Sequence, residues 1–291
     1  MIGTMKKYLS LVKFSHTIFA MPFALIGFFL GIRAIPSIAL NEMLLKLVLV
    51  LACMVFARSA AMAFNRYLDR KFDSLNPRTR IREIPSGVIS AQNALVFTVI
   101  TGLLFISTTW FINELCFYLS PVALFVILFY SYTKRFTALC HLVLGLGLSL
   151  APIGAYLAVT GVFDIIPLLF SISVICWVSG FDIIYALQDD DFDKENDLHS
   201  IPSKLGRRNA LLLSSILHVI SFAAVAVAGD LLDGGWLYLI GVGIFGGMLL
   251  YQHSIVKPDD LRKVNIAFMT ANGIASVVFA VFVIADLYIH F

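Results

Sequence analysis

Two acidic patches interrupt an otherwise apolar chain: Asn65, Asp69 and Asp73 at four-residue spacing, and Asp189, Asp191 and Asp193 followed by Asp197. Residues four apart share one face of a helix, with Cβ atoms ~5–6 Å apart. Asn65, Asp69 and Asp73 thus form a polar stripe if a helix runs through them, and so do Asp189 and Asp193. Such oxygen donors suit a hard cation, and Mg2+ commonly takes one or two carboxylates while water and phosphate oxygens complete its octahedron. Two facing stripes at one membrane surface would hold a diphosphate through bridging Mg2+. The alternative is a pair of solvated loops whose acids are balanced by Arg66, Arg70, Lys71 and Lys194; the matched positions of the two patches weigh against it. Asp182, seven residues before Asp189 and inside an apolar span, either supports the second patch or is a structural hydrogen-bond partner.

The elements that must position these residues are apolar. Of 291 residues, 60% are hydrophobic and 13% charged, against ~25% charged in soluble domains. Apolar stretches long enough for spans of ~20 residues recur along the whole chain, and no polar stretch is long enough for a separate soluble domain. Residues 1–291 read as one integral membrane domain. Breaks in hydropathy predict nine helices, at 15–35, 43–66, 91–112, 115–133, 138–160, 165–187, 209–229, 235–252 and 265–288. The first run follows Lys6, Lys7 and Lys13, exceeds the length of a signal-peptide core and lacks a convincing cleavage site, so it reads as a retained helix.

Basic residues fall on alternate connections: the N-terminus, the 66–90 segment, Lys134 with Arg135, the 188–208 segment, and Lys257 with Arg262 and Lys263. The opposite connections hold only Arg33 and Lys46 as basic residues. By the positive-inside rule the N-terminus and both acidic patches are cytoplasmic and the C-terminus faces out, an orientation that suits a bacterial inner membrane. Asp69 and Asp73 precede Asp189 and Asp193 by 120 residues, and Ile-Pro-Ser recurs at 84–86 and 201–203, a weak internal repeat. The net charge of +3 gives no indication of nucleic-acid binding. Cys53, Cys116, Cys140 and Cys176 lack C-x-x-C spacing and read as core-filling thiols. His16, His141, His199, His218, His253 and His290 are scattered without ligand spacing. Gly27-x-x-x-Gly31 and Gly243-x-x-x-Gly247 permit close helix approach.

The run Asn65-Arg66-Tyr67-Leu68-Asp69-Arg70-Lys71-Phe72-Asp73, then Asn76-Pro77-Arg78-Thr79-Arg80, and Tyr185-Ala186-Leu187-Gln188-Asp189 through Asp193 resemble the two signature regions of the UbiA superfamily of intramembrane aromatic prenyltransferases. The resemblance is to the 4-hydroxybenzoate polyprenyltransferase type and its menaquinone-pathway relatives, and it covers essentially the whole chain. It implies an all-α bundle of nine transmembrane helices, a cytoplasmic cap formed by the loops after helices 2 and 6, and a lateral portal for an isoprenoid tail. It also implies that Asn65, Asp69, Asp73, Asp189 and Asp193 bind Mg2+, the four carboxylates being catalytic. Arg58, about two helical turns before Asn65, either neutralises a nearby Asp or, as the resemblance implies, contacts the acceptor. Tyr130 and Lys134 are either an interfacial aromatic and a snorkelling lysine or, on the family pattern, residues facing the diphosphate or the acceptor. Arg82 is the candidate substrate contact in the loop that resembles the family's cap, whereas Arg78, Arg80, Lys204, Arg207 and Arg208 are accounted for by topology alone.

One departure stands out. The family's first motif is often Asn-Asp-x-x-Asp-x-x-x-Asp, and Arg66 here replaces the acid after Asn65. The implied reaction is Mg2+-dependent transfer of a polyprenyl group from its diphosphate to a ring carbon of an aromatic acid, 4-hydroxybenzoate-like or a naphthoate, in ubiquinone or menaquinone biosynthesis. A rival class is a cation-coupled transporter, which would carry its carboxylates near the bilayer midplane on discontinuous helices; these carboxylates cluster at helix ends. A catalytically idle membrane scaffold would require the paired motifs to be accidental.

Overall fold

The computed structural model describes residues 2–12 and 19–289. Among them the elements are helices α1 (Ile2–Val12), α2 (Met21–Ala34), α3 (Leu40–Leu75), α4 (Ala91–Trp110), α5 (Glu114–Thr133), α6 (Cys140–Thr160), α7 (Ile165–Ala186), α8 (Asp190–Glu195), α9 (Ile201–Leu231), α10 (Trp236–Ile255) and α11 (Asn272–Ile289), with a π-helical turn at Ile266–Ala271 leading into α11. Eight helical segments among the described residues are long and apolar enough to cross a membrane, and α2 is a shorter apolar helix of 14 residues. The chain is an all-helical integral membrane protein. Residues 15–18 of the first expected span, with His16 and His290, lie outside the described residues.

Capping side chains explain several helix starts. Ser90, Asn113 and Asp164 accept from the backbone N–H groups of Asn93, Cys116 and Ile166 at 3.1, 2.8 and 2.9 Å, each satisfying an N–H with no intrahelical partner. Ser200 and Ser203 form a reciprocal capping box at the start of α9. Six residues on, Gly206 takes φ 77° and breaks the line of α9, a left-handed backbone that glycine adopts without a Cβ penalty.

Helices α6 and α7 form the centre, with α2 against α6 and α9 against α7; α3 pairs with α4, and α10 with α11. Close approach depends on small residues. A Cβ at Gly27 would lie 2.0 Å from the Pro152 carbonyl oxygen, and one at Gly145 would lie 2.5 Å from that of Ile175. Phe23, Trp177, Phe245 and Phe279, all fully buried, form an aromatic core. Beside it, Asn272 accepts from Trp177 Nε1 and Gln252 Nε2, both at 2.8 Å, which satisfies indole and amide donors in the apolar interior. By contrast, α5 leaves Tyr118, Val122 and Phe125 exposed, as expected for a helix that faces lipid.

Three differences from the sequence reading bear on the site. Helix α3 was expected to end at 66 and continues to Leu75; at 1.5 Å per residue its 36 residues span about 54 Å, well beyond a hydrocarbon core of ~30 Å. The acidic stripe therefore rides on a helix that outlasts its apolar segment. An additional N-terminal helix, α1, lies against α3, where Leu11 is buried with Ala63, Ile89 and Ala94. The repeated Ile-Pro-Ser tripeptide is not structurally equivalent in its two copies: Ile84-Pro85-Ser86 lies in a series of turns, whereas Ile201-Pro202-Ser203 opens α9.

Candidate active site

The first acidic stripe sits on the last turns of α3. Asn65 donates to Asp69 Oδ2 at 2.9 Å, while Asp69 Oδ1 accepts from Arg135 Nη2 at 2.9 Å. Arg135 also donates to the Leu68 carbonyl at 3.0 Å, which ties the segment after α5 to α3. One turn further on, Asp73 is buried and accepts from Arg82 Nη1 at 2.7 Å through Oδ1. Its buried Oδ2 has no hydrogen-bond partner. The loop that supplies Arg82 folds back onto α3: Thr79 Oγ1 donates to the Asp73 carbonyl at 3.2 Å, and Ser10 of α1 donates to Glu83 at 2.5 Å.

The second patch departs from a simple helical stripe. The chain leaves α7 through a 3-10 turn, Leu187–Asp189, before α8 begins at Asp190. Asp189 is bound by Arg78 through both oxygens, with Nε to Oδ1 at 3.0 Å, and by Asn76 Nδ2 at 3.2 Å. Arg78 also donates to the Tyr185 hydroxyl at 2.9 Å. Asp193, wholly buried, lies 2.7 Å from Lys134 Nζ. Asp190, also buried, takes a two-pronged contact from Arg207, both bonds at 2.9 Å, and Asp191 is exposed. Burial alone would lower the pKa of Lys134, but the carboxylates of Asp193 and Asp189 outweigh it and leave the ammonium above its ordinary value. The same balance, with Asp189 and Tyr185 as partners, raises Arg78.

Both patches therefore meet at one end of the bundle, joined by Asn76, Arg78 and Lys134. Below them lies a cavity of about 390 Å3 among α3, α4, α5 and α6. Its walls are mostly apolar, including Met54, Phe105, Leu148 and Phe163, and its charged or phenolic lining groups are Arg58 and Tyr130. Arg58 Nε is buried and has no hydrogen-bond partner. Tyr130 lies within electrostatic reach of Arg58, Asp69 and Arg66, which links the cavity to the first acidic stripe. Tyr130 and Lys134, paired by spacing in the sequence, serve different places: Tyr130 lines the cavity, and Lys134, just past the end of α5, turns to Asp193.

The donor set is all oxygen, which suits Mg2+, and the buried, unpartnered Asp73 Oδ2 provides a free ligand position. Among the described residues no group of three or more His, Cys, Asp or Glu converges into a protein-only metal cage. Mg2+ does not require one, because it commonly keeps waters and takes substrate phosphate oxygens. The residues present fit that mode of binding.

Sequence reasoning passed over several contributors. Arg78 and Arg207 were accounted for as topological charge, yet each grips an acid of the second patch. Arg135 was counted only as a basic loop residue. Asn76 had a signal in the Asn-Pro-Arg run; its side chain also accepts from Arg78 N–H at 2.9 Å and so shapes the turn that delivers Arg78. His141, read as scattered, is buried and lies 2.6 Å from Asp182, while its Nε2 accepts from Ile201 N–H at 3.3 Å. Asp182 thus has a structural partner that helps seat the start of α9.

The UbiA prenyltransferase family profile matches residues 20–274. A 4-hydroxybenzoate octaprenyltransferase from Tolumonas auensis is 29% identical over 236 residues, 81% of this chain and 82% of that protein. Among solved structures, the apo form of a UbiA homologue from Aeropyrum pernix K1 superposes with a TM-score of 0.82 at 27% identity, over 93% of this chain and 98% of the other. A UbiA homologue from Archaeoglobus fulgidus, bound to GPP and Mg2+, shares the fold with a TM-score of 0.73 at 23% identity, over 97% of this chain and all of the other.

Proposed function

The chain belongs to the UbiA prenyltransferase family, and on that premise we propose that it transfers a polyprenyl group from its diphosphate to a ring carbon of a small aromatic acid, 4-hydroxybenzoate-like or a naphthoate, in quinone biosynthesis. The observation that carries this reading is the meeting of two acidic segments, each laced with Arg or Lys, above an apolar cavity that holds a buried arginine. The relationship to 4-hydroxybenzoate octaprenyltransferases supports an aromatic acid as acceptor. The positive-inside distribution supports a cytoplasmic active site and N-terminus with the C-terminus outside, and we take residues 1–291 as one domain.

Asn65, Asp69, Asp73, Asp189 and Asp193 are the proposed Mg2+ ligands, and Mg2+ when bound supplies Lewis-acid stabilisation of the leaving diphosphate. Arg78, Arg82, Lys134 and Arg135 stand next to those carboxylates and can direct N–H donors at phosphate oxygens, where charge grows as the C1–O bond breaks. The apolar cavity walls keep water from the allylic cation and accommodate the isoprenoid. Arg58 contacts the acceptor carboxylate, and Tyr130 beside it helps to orient the ring. Attack by the ring carbon is followed by transfer of its proton to the released diphosphate or to a carboxylate of the site, and aromaticity returns.

Mass spectrometry of products tests the reading. Purified protein is supplied with Mg2+, polyprenyl diphosphates of several lengths and a panel of benzoates and naphthoates. A carbon-prenylated aromatic acid with release of diphosphate is expected; no prenylated product from any acceptor would refute the proposal.

A further inference from the structure

Arg66 stands where the resembled motif has an acid, and its surroundings are unusual for an arginine that only balances charge. The residue is 5% exposed, and the charged groups acting on it are Arg82, Asp73 and Glu83, with the Tyr130 phenol nearby. Its buried Nε has no hydrogen-bond partner, and neither does the buried Oδ2 of Asp73. Arg82 already occupies the other oxygen of Asp73 at 2.7 Å, and Glu83 is engaged by Ser10. A guanidinium donor and a carboxylate acceptor thus share one buried neighbourhood, both unsatisfied and not bonded to each other. Native interiors rarely leave such groups orphaned, and each one that remains calls for a specific cause such as a catalytic role or a bound water or ion.

Resting on the donor site proposed above, we propose that Arg66 is a further contact for the donor's diphosphate. A phosphate oxygen satisfies Nε through a charge-assisted bond, and the cation that accompanies the diphosphate satisfies Asp73 Oδ2. Position supports this assignment over the acceptor. Arg66 is one residue from Asn65 and acts on Asp73, a proposed metal ligand, whereas Arg58, two turns deeper, lines the cavity. Replacing an acid with this arginine changes the local charge by two units toward positive, which favours the anion directly.

The test uses the full chain with Arg66→Gln and Arg66→Lys. Inorganic diphosphate is titrated calorimetrically in the presence of Mg2+, donor and acceptor KM are measured separately, and thermal midpoints are recorded without ligand. Arg66→Gln should weaken diphosphate binding by about 10-fold or more, raise the donor KM and leave the acceptor KM within about twofold; Arg66→Lys, which keeps the charge but loses the fork, should recover part of the affinity. The ligand-free midpoint of Arg66→Gln should stay close to wild type, because the Nε that is lost bonds no protein group. Wild-type diphosphate affinity in Arg66→Gln, a lower midpoint with affinity retained, or a rise in acceptor KM instead would each overturn the proposal. If Arg66→Gln does not fold, Arg66→Lys decides alone: reduced diphosphate affinity supports the contact and unchanged affinity refutes it. A wild-type chain that binds no diphosphate would overturn the donor site itself, an outcome distinct from a binding wild type matched by its variants.

Discussion

Asn76, the residue that ends α3, donates a 3.2 Å hydrogen bond to Asp189, the last residue of the turn that follows α7. These two residues are 113 apart along the chain, and their bond brings the end of the first acidic segment into contact with the second. Arg78 reinforces the joint by holding both oxygens of Asp189, so the turn after α3 is a clamp on the second patch as well as a continuation of the first.

Breaking that clamp should reduce catalysis. Arg78→Ala and Arg78→Lys are both expected to lower kcat/KM for the donor by about 10-fold or more, since lysine keeps the charge but not the planar fork. Arg80→Ala, on an exposed neighbour two residues away, should stay near wild type. Equal effects at the two positions would mean that general loop charge, not the Asp189 contact, is at work.

The Lys134 and Asp193 pair should contribute to stability. Asp193 is wholly buried and Lys134 is its ion-pair partner, so Lys134→Met strands a buried carboxylate. With the lysine side chain 35% exposed, the expected loss is about 1–3 kcal/mol. Adding Asp193→Asn should restore much of it. Thermal unfolding of the four members of this cycle in detergent measures the coupling directly.

The pH dependence of the same pair has a definite sign. The folded pKa of Lys134 is raised above its ordinary value, because Asp193 and Asp189 outweigh the effect of burial. Its contribution is therefore fully present below the unfolded pKa of ~10.4 and is lost as pH rises through the folded value. The difference in thermal midpoint between wild type and Lys134→Met should not fall as pH rises from about 7 to 9 and should shrink only at higher pH. A difference that already falls across the neutral range would contradict the pairing.

The two glycine motifs should behave differently. A Cβ at Gly27 meets backbone of Pro152, whereas nothing lies within 4 Å of one at Gly243 or Gly247. Gly27→Ala is expected to destabilise by about 1–3 kcal/mol through overpacking, and Gly243→Ala to be neutral or to stabilise by about 0.5–1 kcal/mol. Thermal melts of the two variants separate a packing motif from a coincidence of spacing.

Those glycines also mark how far the sequence could be read. Spacing identified both motifs alike; which one faces another helix depends on rotation within the bundle, and local pattern does not encode it. The acidic stripe on α3 was legible because four-residue spacing survives translation into a helix. The second patch was less so, since a 3-10 turn at Leu187–Asp189 breaks the stripe where the sequence shows only a run of acids. Arg78, Arg135 and Arg207 read as topological charge for a different reason. A basic residue at a helix end is already explained by topology, and only tertiary contacts reveal that each has an acidic partner.

The central claim is that the two acidic segments form one metal-dependent diphosphate site. It is tested most directly by measuring prenyl transfer to an aromatic acid, with Mg2+ and a polyprenyl diphosphate, in wild type, Asp69→Ala and Asp189→Ala, with and without a chelator. The account predicts product from wild type only when Mg2+ is present, and a loss of about 100-fold or more in both variants, a barrier increase of ~2.7 kcal/mol. Prenylated product that survives both substitutions and chelation unchanged would contradict it.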